Sequence, residues 1–92
     1  MQSLVVARRG RWQREALEQQ LRGLISQQPV LRLKGRLHQS GKTRALQIQA
    51  VGPRLDCWYE GTVQADGQDR LELVLLTAAA DAARVSEALE SL

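Results

Sequence analysis

The segment with the clearest outline of a chemical motif runs from Gly35 to Thr43 and reads GRLHQSGKT, close to a phosphate-binding loop. The Walker A pattern has four residues between its first glycine and its Gly-Lys pair, and here there are five, Arg36 to Ser40. That motif also needs a helix after the loop, whereas residues 44–51 alternate like a strand. We therefore interpret Gly41-Lys42-Thr43 as part of a hairpin turn, with a solvated lysine.

His38 and Cys57 are the only soft metal ligands in the sequence. A bound metal ion usually takes three or four protein groups, and strand alternation directs these two side chains to opposite faces. The same geometry argues against a Cys-His nucleophile pair. We predict a surface histidine, a core cysteine, no metal site and no catalytic residue.

A row of cations is the more informative pattern. Arg32, Lys34 and Arg36 alternate with apolar residues on one predicted strand, with His38 next on the same face and Trp58 on a neighbouring strand. Such a row is usually a solvated face, but three cations on one strand also suit an acidic partner or phosphates. These five residues are our candidate partner-contact residues.

These residues must be positioned by a three-stranded meander. Residues 30–58 divide into three alternating segments joined by turns at residues 39–42 and at Gly52-Pro53, where glycine supplies positive φ and proline fixes its own φ. In the first segment we expect Leu31, Leu33 and Leu37 to face the core. The exposed face of this meander is strongly polar and partly basic.

The flanking segments complete the predicted domain. Residues 3–7 form a short strand, residues 12–26 an amphipathic helix that ends before Pro29, and residues 70–76 a further strand after a polar loop. Residues 77–92 have helical spacing, with Asp81 or Thr77 as the N-cap.

The predicted order is β-α-β-β-β-β-α. Each helix has one apolar stripe and each strand one apolar face, so both helices must cover the same side of the sheet. We predict an α+β two-layer sandwich, mostly antiparallel, with the other sheet face open. The residues expected on that open face are Arg32, Lys34, Arg36, His38, Gln47, Gln49, Asp56, Trp58, Glu72 and Val74.

Length and composition set the remaining expectations. Ninety-two residues fit a single domain, 1–92. The net charge of +3 is a mild basic excess and weak support for a polyanion partner. One cysteine excludes an internal disulfide, and no apolar run resembles a signal peptide or a membrane span, so we expect a cytoplasmic protein with no membrane partner.

The order of several short patterns resembles the CobW C-terminal domain, the accessory domain of CobW-like P-loop GTPases. Residues 30–38, VLRLKGRLH, are similar to that family's LR-x-KG-x-x-W strand, and residues 48–56 to its Q-x-VG-x-R strand and turn. Residues 70–76 resemble its R-x-x-LV strand. Residues 11–21 and 81–89 resemble its entry and closing helices. The resemblance covers nearly the whole chain.

The resemblance implies that Lys34, Gly35 and Gly52 are the family signature residues. It implies no cofactor for this domain and no catalysis by it. GTP, magnesium and cobalt or zinc would belong to a parent protein that delivers metal, in a branch linked to cobalamin biosynthesis. The implied partners are that protein's own N-terminal GTPase domain, absent from this chain, or a metal-receiving client. His38 stands where the family commonly has tryptophan, and Thr77 where a glycine often follows the strand.

An alternative function is a free-standing nucleic-acid-binding module that uses the open sheet face. RNA-recognition folds have this layout, but they stack bases on aromatic side chains of adjacent central strands. Here only Trp58 is expected on the open face, and Tyr59 is expected to point into the core. We therefore rank nucleic acid second as a partner.

Overall fold

The computed structural model describes residues 1–39, 44–60 and 69–92, with the backbone alone for Glu60. Its elements, in chain order, are β1 (Gln2–Arg9), α1 (Arg14–Gln27), β2 (Val30–His38), β3 (Ala45–Val51), β4 (Arg54–Glu60), β5 (Arg70–Thr77) and, after a 3-10 turn at Ala79–Asp81, α2 (Ala82–Leu89). This order confirms the predicted β-α-β-β-β-β-α arrangement. No helix among the described residues has the length and apolar composition needed to cross a membrane.

The five strands form one antiparallel sheet in the order β1-β5-β2-β3-β4. The meander predicted from the sequence occupies one side, and β5 lies between β1 and β2. Gly52 adopts φ +56 in the turn between β3 and β4, as its place before Pro53 predicts. Residues 40–43 and 61–68, in the other predicted turn and the polar loop, lie outside the described residues.

The two helices and one face of the sheet enclose the core. Leu17, Leu21 and Leu24 form the buried stripe of α1, and Val85 and Leu89 form that of α2. They pack against alternate strand residues that are at most 1% exposed: Leu33, Leu37, Leu46, Ile48, Leu71, Leu73 and Leu75. Because both stripes share one cluster with one sheet face, the two-layer α+β sandwich is confirmed.

The start of β2 departs from the predicted alternation. Val30 is 7% exposed and belongs to the core, whereas Leu31 is 46% exposed, so our placement of Leu31 in the core is wrong. The register of β2 against β5 shifts between Val30 and Arg32, and the Leu31 carbonyl accepts a hydrogen bond from the Gly52 amide at 3.2 Å. An irregularity of one residue transfers the inward position from Leu31 to Val30.

We predicted Asp81 or Thr77 as the N-cap of the last helix, and Thr77 does not have this role. It is the last residue of β5, fully buried, and its hydroxyl donates a hydrogen bond to the Pro29 carbonyl at 3.0 Å. Asp81 occupies the N-cap position of α2, but its side chain makes no capping hydrogen bond. The hydroxyl of Thr77 is used instead to tie the end of β5 to the start of β2.

Candidate interaction surface

The sheet face opposite the helices, here called the bare face, brings alternate residues of all five strands into rows. One row contains Ala7, Glu72, Arg36, Gln47 and Trp58, and the next contains Val5, Val74, Lys34, Gln49 and Asp56. Of the ten residues predicted here, all are exposed except Gln47, which is half-buried, and His38, which is buried. The bare face therefore has nearly the composition that strand alternation predicted.

Three cations form a column along β2 in the middle of the bare face. Arg32, Lys34 and Arg36 are exposed and project at intervals of about 6.8 Å, two residues of strand rise. Within the described part of the chain, none of the three side chains has a hydrogen-bond or ion-pair partner. Their charge is therefore left to solvent or to a partner.

The two acids described on the bare face are already paired. Glu72 shares its Oε1 atom between Arg70 Nε at 2.7 Å and His38 Nε2 at 3.1 Å. The hydrogen bond from Arg70 is the largest cause of a lowered pKa for the Glu72 carboxyl. Asp56 lies 3.3 Å from Arg54. Neither carboxylate neutralises the β2 column, so the centre of this face is positive.

His38 lies on the face that alternation predicts but is not a surface residue. Only 9% of it is exposed, so the predicted exposure is wrong. The imidazole contacts Glu72, and across the β2–β5 ladder His38 is opposite Arg70. Ala45, at the adjacent end of β3, is 2% exposed. Both His38 and Ala45 are therefore shielded from solvent at this end of the bare face.

Aliphatic side chains flank the cation column. Val5 is 74% exposed, Val74 47% and Val51 49%. The role of Val5 and Val51 was not predicted, because runs such as Leu4-Val5-Val6 are apolar on both faces and alternation cannot orient them. The exposed valines give the bare face an apolar component beside its charge.

Trp58 lies on β4, the strand at one edge of the sheet, and is 37% exposed. It is paired in register with Gln47. Tyr59 points to the covered side, where it packs against the core and its ring lies 5.2 Å from the Arg14 guanidinium carbon. Among the described residues the bare face thus presents one aromatic ring, at its margin.

The signature residue Gly35 has a packing role. A Cβ at this position would overlap the carbonyl oxygen of Glu72 and lie 2.9 Å from the Cα atom of Leu73. The backbones of β2 and β5 approach too closely there for any side chain. Lys34 projects from the opposite face, so the adjacent Lys-Gly pair joins an exposed charge to a tight strand contact.

Cys57 lies on the covered side and packs against the core. Burial raises the pKa of its thiol to about 11, so the reactive thiolate is suppressed at neutral pH. His38 faces the other side of the sheet. No group of three or more His, Cys, Asp or Glu side chains in residues 1–39, 44–60 and 69–92 is placed to hold a metal ion.

The fold belongs to a class already seen in solved structures. Zn(II)-bound YjiA GTPase from E. coli superposes with a TM-score of 0.74 at 17% identity, over 98% of this chain and 29% of that one. A Zn(II)-bound triple mutant of YjiA GTPase gives the same TM-score at 18% identity, also over 98% of this chain and 29% of that one. The similarity at this level of identity shows a shared domain fold.

The sequence comparisons define the family. The family model described as "Cobalamin synthesis protein cobW C-terminal domain" matches residues 1–92, and the chain belongs to that family. It is 41% identical over 56 residues to "Zinc chaperone CobW" of Sinorhizobium sp, a match covering 61% of this chain and 16% of that protein. These 92 residues are therefore a CobW C-terminal domain. The match spans 16% of the zinc chaperone's length, and the superposition spans 29% of each solved GTPase chain.

Proposed function

We propose that this chain is the accessory domain of a longer CobW-like GTPase that delivers a metal ion, and that its bare face contacts the GTPase domain or the client protein. The carrying observation is the match of the family model to all 92 residues. The chain spans less than a third of the structures it superposes on. A domain of that share suits a role in contact and positioning.

In this proposal, GTP hydrolysis and metal binding belong to the GTPase domain of the parent protein. GTP, magnesium and the cargo metal would be bound by the parent protein. The cargo would be zinc or cobalt, and the names of the relatives, a zinc chaperone and a Zn(II)-bound GTPase, favour zinc. Service to cobalamin biosynthesis, which the family's name suggests, and a cytoplasmic location are the finer parts of this proposal.

The contact residues in this proposal are Arg32, Lys34 and Arg36, with Trp58 at the margin. All four are exposed, and the three cations have no side-chain partner among the described residues. His38, the fifth predicted contact residue, is buried at one end of this surface and contacts Glu72. Contacts of this kind add specificity and association rate more than stability of the domain itself.

The test replaces Arg32 and Lys34 together by alanine in the GTPase that carries this domain. We expect the domain to remain folded, while GTP hydrolysis coupled to zinc transfer onto a client falls. The matched control replaces Arg22 and Arg84, two exposed arginines of the helical layer, and removes the same charge. Unchanged coupled activity in the first pair, or equal losses in both pairs, would contradict the proposal.

A nucleic-acid-binding module is the second candidate, favoured by the unpaired cation column. Against it, the one aromatic residue described on the bare face is Trp58 on an edge strand, away from the central strands β5 and β2. Titration with single-stranded RNA at low and moderate salt separates the two functions. Micromolar binding that weakens steeply with salt would support this second candidate over the first.

A further inference from the structure

The bare face contains a shallow depression over β5, between β1 and β2. Val5 and Ala7 of β1 line one side, Lys34 and Arg36 of β2 line the other, and Val74 lies between them with Glu72. Three strands thus contribute to one concave site whose walls differ in chemistry. A ligand that fills it must satisfy a cationic wall and an aliphatic wall together.

The cationic wall selects for anionic groups. Lys34 and Arg36 have no side-chain partner among the described residues, and the nearby Glu72 carboxylate is held by Arg70 and His38. Two cations on alternate residues of one strand lie about 6.8 Å apart. Carboxylates on alternate residues of an extended segment repeat at the same interval, so one such segment can reach both cations.

The aliphatic wall selects against phosphates as the sole partner. Val5 is 74% exposed and Val74 is 47% exposed, and they are paired across the β1–β5 ladder. Nucleic acid brings bases that stack on aromatic rings, and none of the described residues that line this depression has one. Aliphatic side chains of a protein would bury both valines and gain from leaving water.

We propose that this depression binds an acidic protein segment in which carboxylates alternate with aliphatic side chains. The carboxylates pair with Lys34 and Arg36, and the aliphatic groups cover Val5 and Val74. This inference rests on the proposed function, in which the bare face contacts another protein, and it names the chemistry of that contact. We assign this segment to the GTPase domain, since the solved GTPases that contain this fold are more than three times its length.

The probe is a fluorescent peptide in which glutamate alternates with leucine, titrated against the 92-residue chain by anisotropy. A matched peptide has serine in place of leucine. We expect the leucine peptide to bind about tenfold more tightly, because burial of one aliphatic side chain is enough for that factor. Added salt should weaken both peptides, since the ion pairs lie at the surface.

Three double variants, one of them a control, test the two walls separately. Lys34→Gln with Arg36→Gln should weaken binding of both peptides by about tenfold. Arg22→Gln with Arg84→Gln removes the same charge from the helical layer and should leave binding within about twofold. Val5→Thr with Val74→Thr keeps β-branched side chains on both strands and should abolish the preference for leucine over serine.

The proposal is overturned if the chain binds oligothymidylate or phosphatidylserine vesicles more tightly than the leucine peptide. It is also overturned if the Lys34→Gln, Arg36→Gln variant and the Arg22→Gln, Arg84→Gln variant lose binding equally, or if leucine confers no preference. These results would not contradict the proposed role as an accessory domain of a metal-delivering GTPase, because coupled GTP hydrolysis and zinc transfer test that role separately. If the leucine peptide binds tightly but replacing Arg32 and Lys34 leaves coupled activity unchanged, this site would be retained and the proposed function rejected.

Discussion

The two faces of β2 have opposite surroundings, although residues adjacent in the sequence lie on opposite faces. Leu33 is 1% exposed and touches the core, whereas the adjacent Lys34 is exposed and has no side-chain partner among the described residues. Removal of apolar surface from water stabilises the fold on one side, and unpaired charge is available for recognition on the other. Stability and contact are therefore separable by mutation within a single strand.

The bare face itself has two dissimilar ends. At one end His38, Glu72 and Arg70 form a paired and partly buried group, and at the other Arg32 and Lys34 carry unpaired charge. The paired end holds two neighbouring strands together, since His38 is on β2 and the other two residues are on β5. A mutation at one end should thus act on folding, and at the other on binding.

The largest expected effect tests the covered face. Leu33→Ala should lower the free energy of unfolding by about 3 kcal/mol, because it leaves a cavity in the core. The control is Leu31→Ala, two residues away and 46% exposed, which should cost less than about 1 kcal/mol. Urea unfolding followed by circular dichroism measures both. Equal losses would contradict the irregular register at the start of β2.

The second prediction tests the close approach of β2 and β5. Gly35→Ala should destabilise the chain by about 1–3 kcal/mol, because its Cβ would overlap backbone atoms of β5. Gly23→Ala in α1 is the matched control. It has no atom within 4 Å of the new Cβ and should stabilise the helix by about 0.5–1 kcal/mol. A neutral Gly35→Ala in urea unfolding would remove the packing reason for this signature glycine.

The third prediction concerns the paired end of the bare face. Glu72→Gln should lower stability by about 0.5 kcal/mol at neutral pH, a small value because the carboxylate is half exposed. The pKa of the Glu72 carboxyl is lowered by folding, so its contribution is present above the ordinary carboxyl pKa and is lost as pH falls through the lowered value. The difference between wild type and variant in denaturant midpoint should therefore vanish in acid.

A control for that result is Asp56→Asn, at the exposed pair with Arg54. Both side chains are more than half exposed, so its effect at neutral pH should be smaller than that of Glu72→Gln. A larger effect at Asp56 would reverse our ranking of the two ion pairs.

The smallest expected effect belongs to the cation column. Arg32→Ala with Lys34→Ala should change the free energy of unfolding by less than about 0.5 kcal/mol, since neither side chain contacts a described partner. Thermal unfolding of wild type and double variant should superimpose. A double variant that fails to fold would show that our assignment of the two faces of β2 is wrong.

Periodicity was sufficient for the fold because each helix and most strands carry one clear apolar face. It failed at Leu31, where Val30 and Leu31 are both apolar and the register depends on a distant hydrogen bond from Gly52. It also failed at His38, which is buried and contacts Glu72 on another strand. Local patterns do not report such long-range partners. The cation column was predictable, while the exposed valines beside it were not.

The position of β5 has a consequence for how the chain is made. β5 is synthesised after the whole β2–β4 meander, yet it lies between β2 and β1, and β1 is hydrogen-bonded within the sheet to β5 alone. The meander can form from neighbouring segments as they leave the ribosome, whereas β1 must wait, unpaired, until the last quarter of the chain emerges. Folding of this domain during translation is therefore completed only after β5 has been synthesised, and a truncation before β5 would leave β1 as an exposed apolar strand open to aggregation.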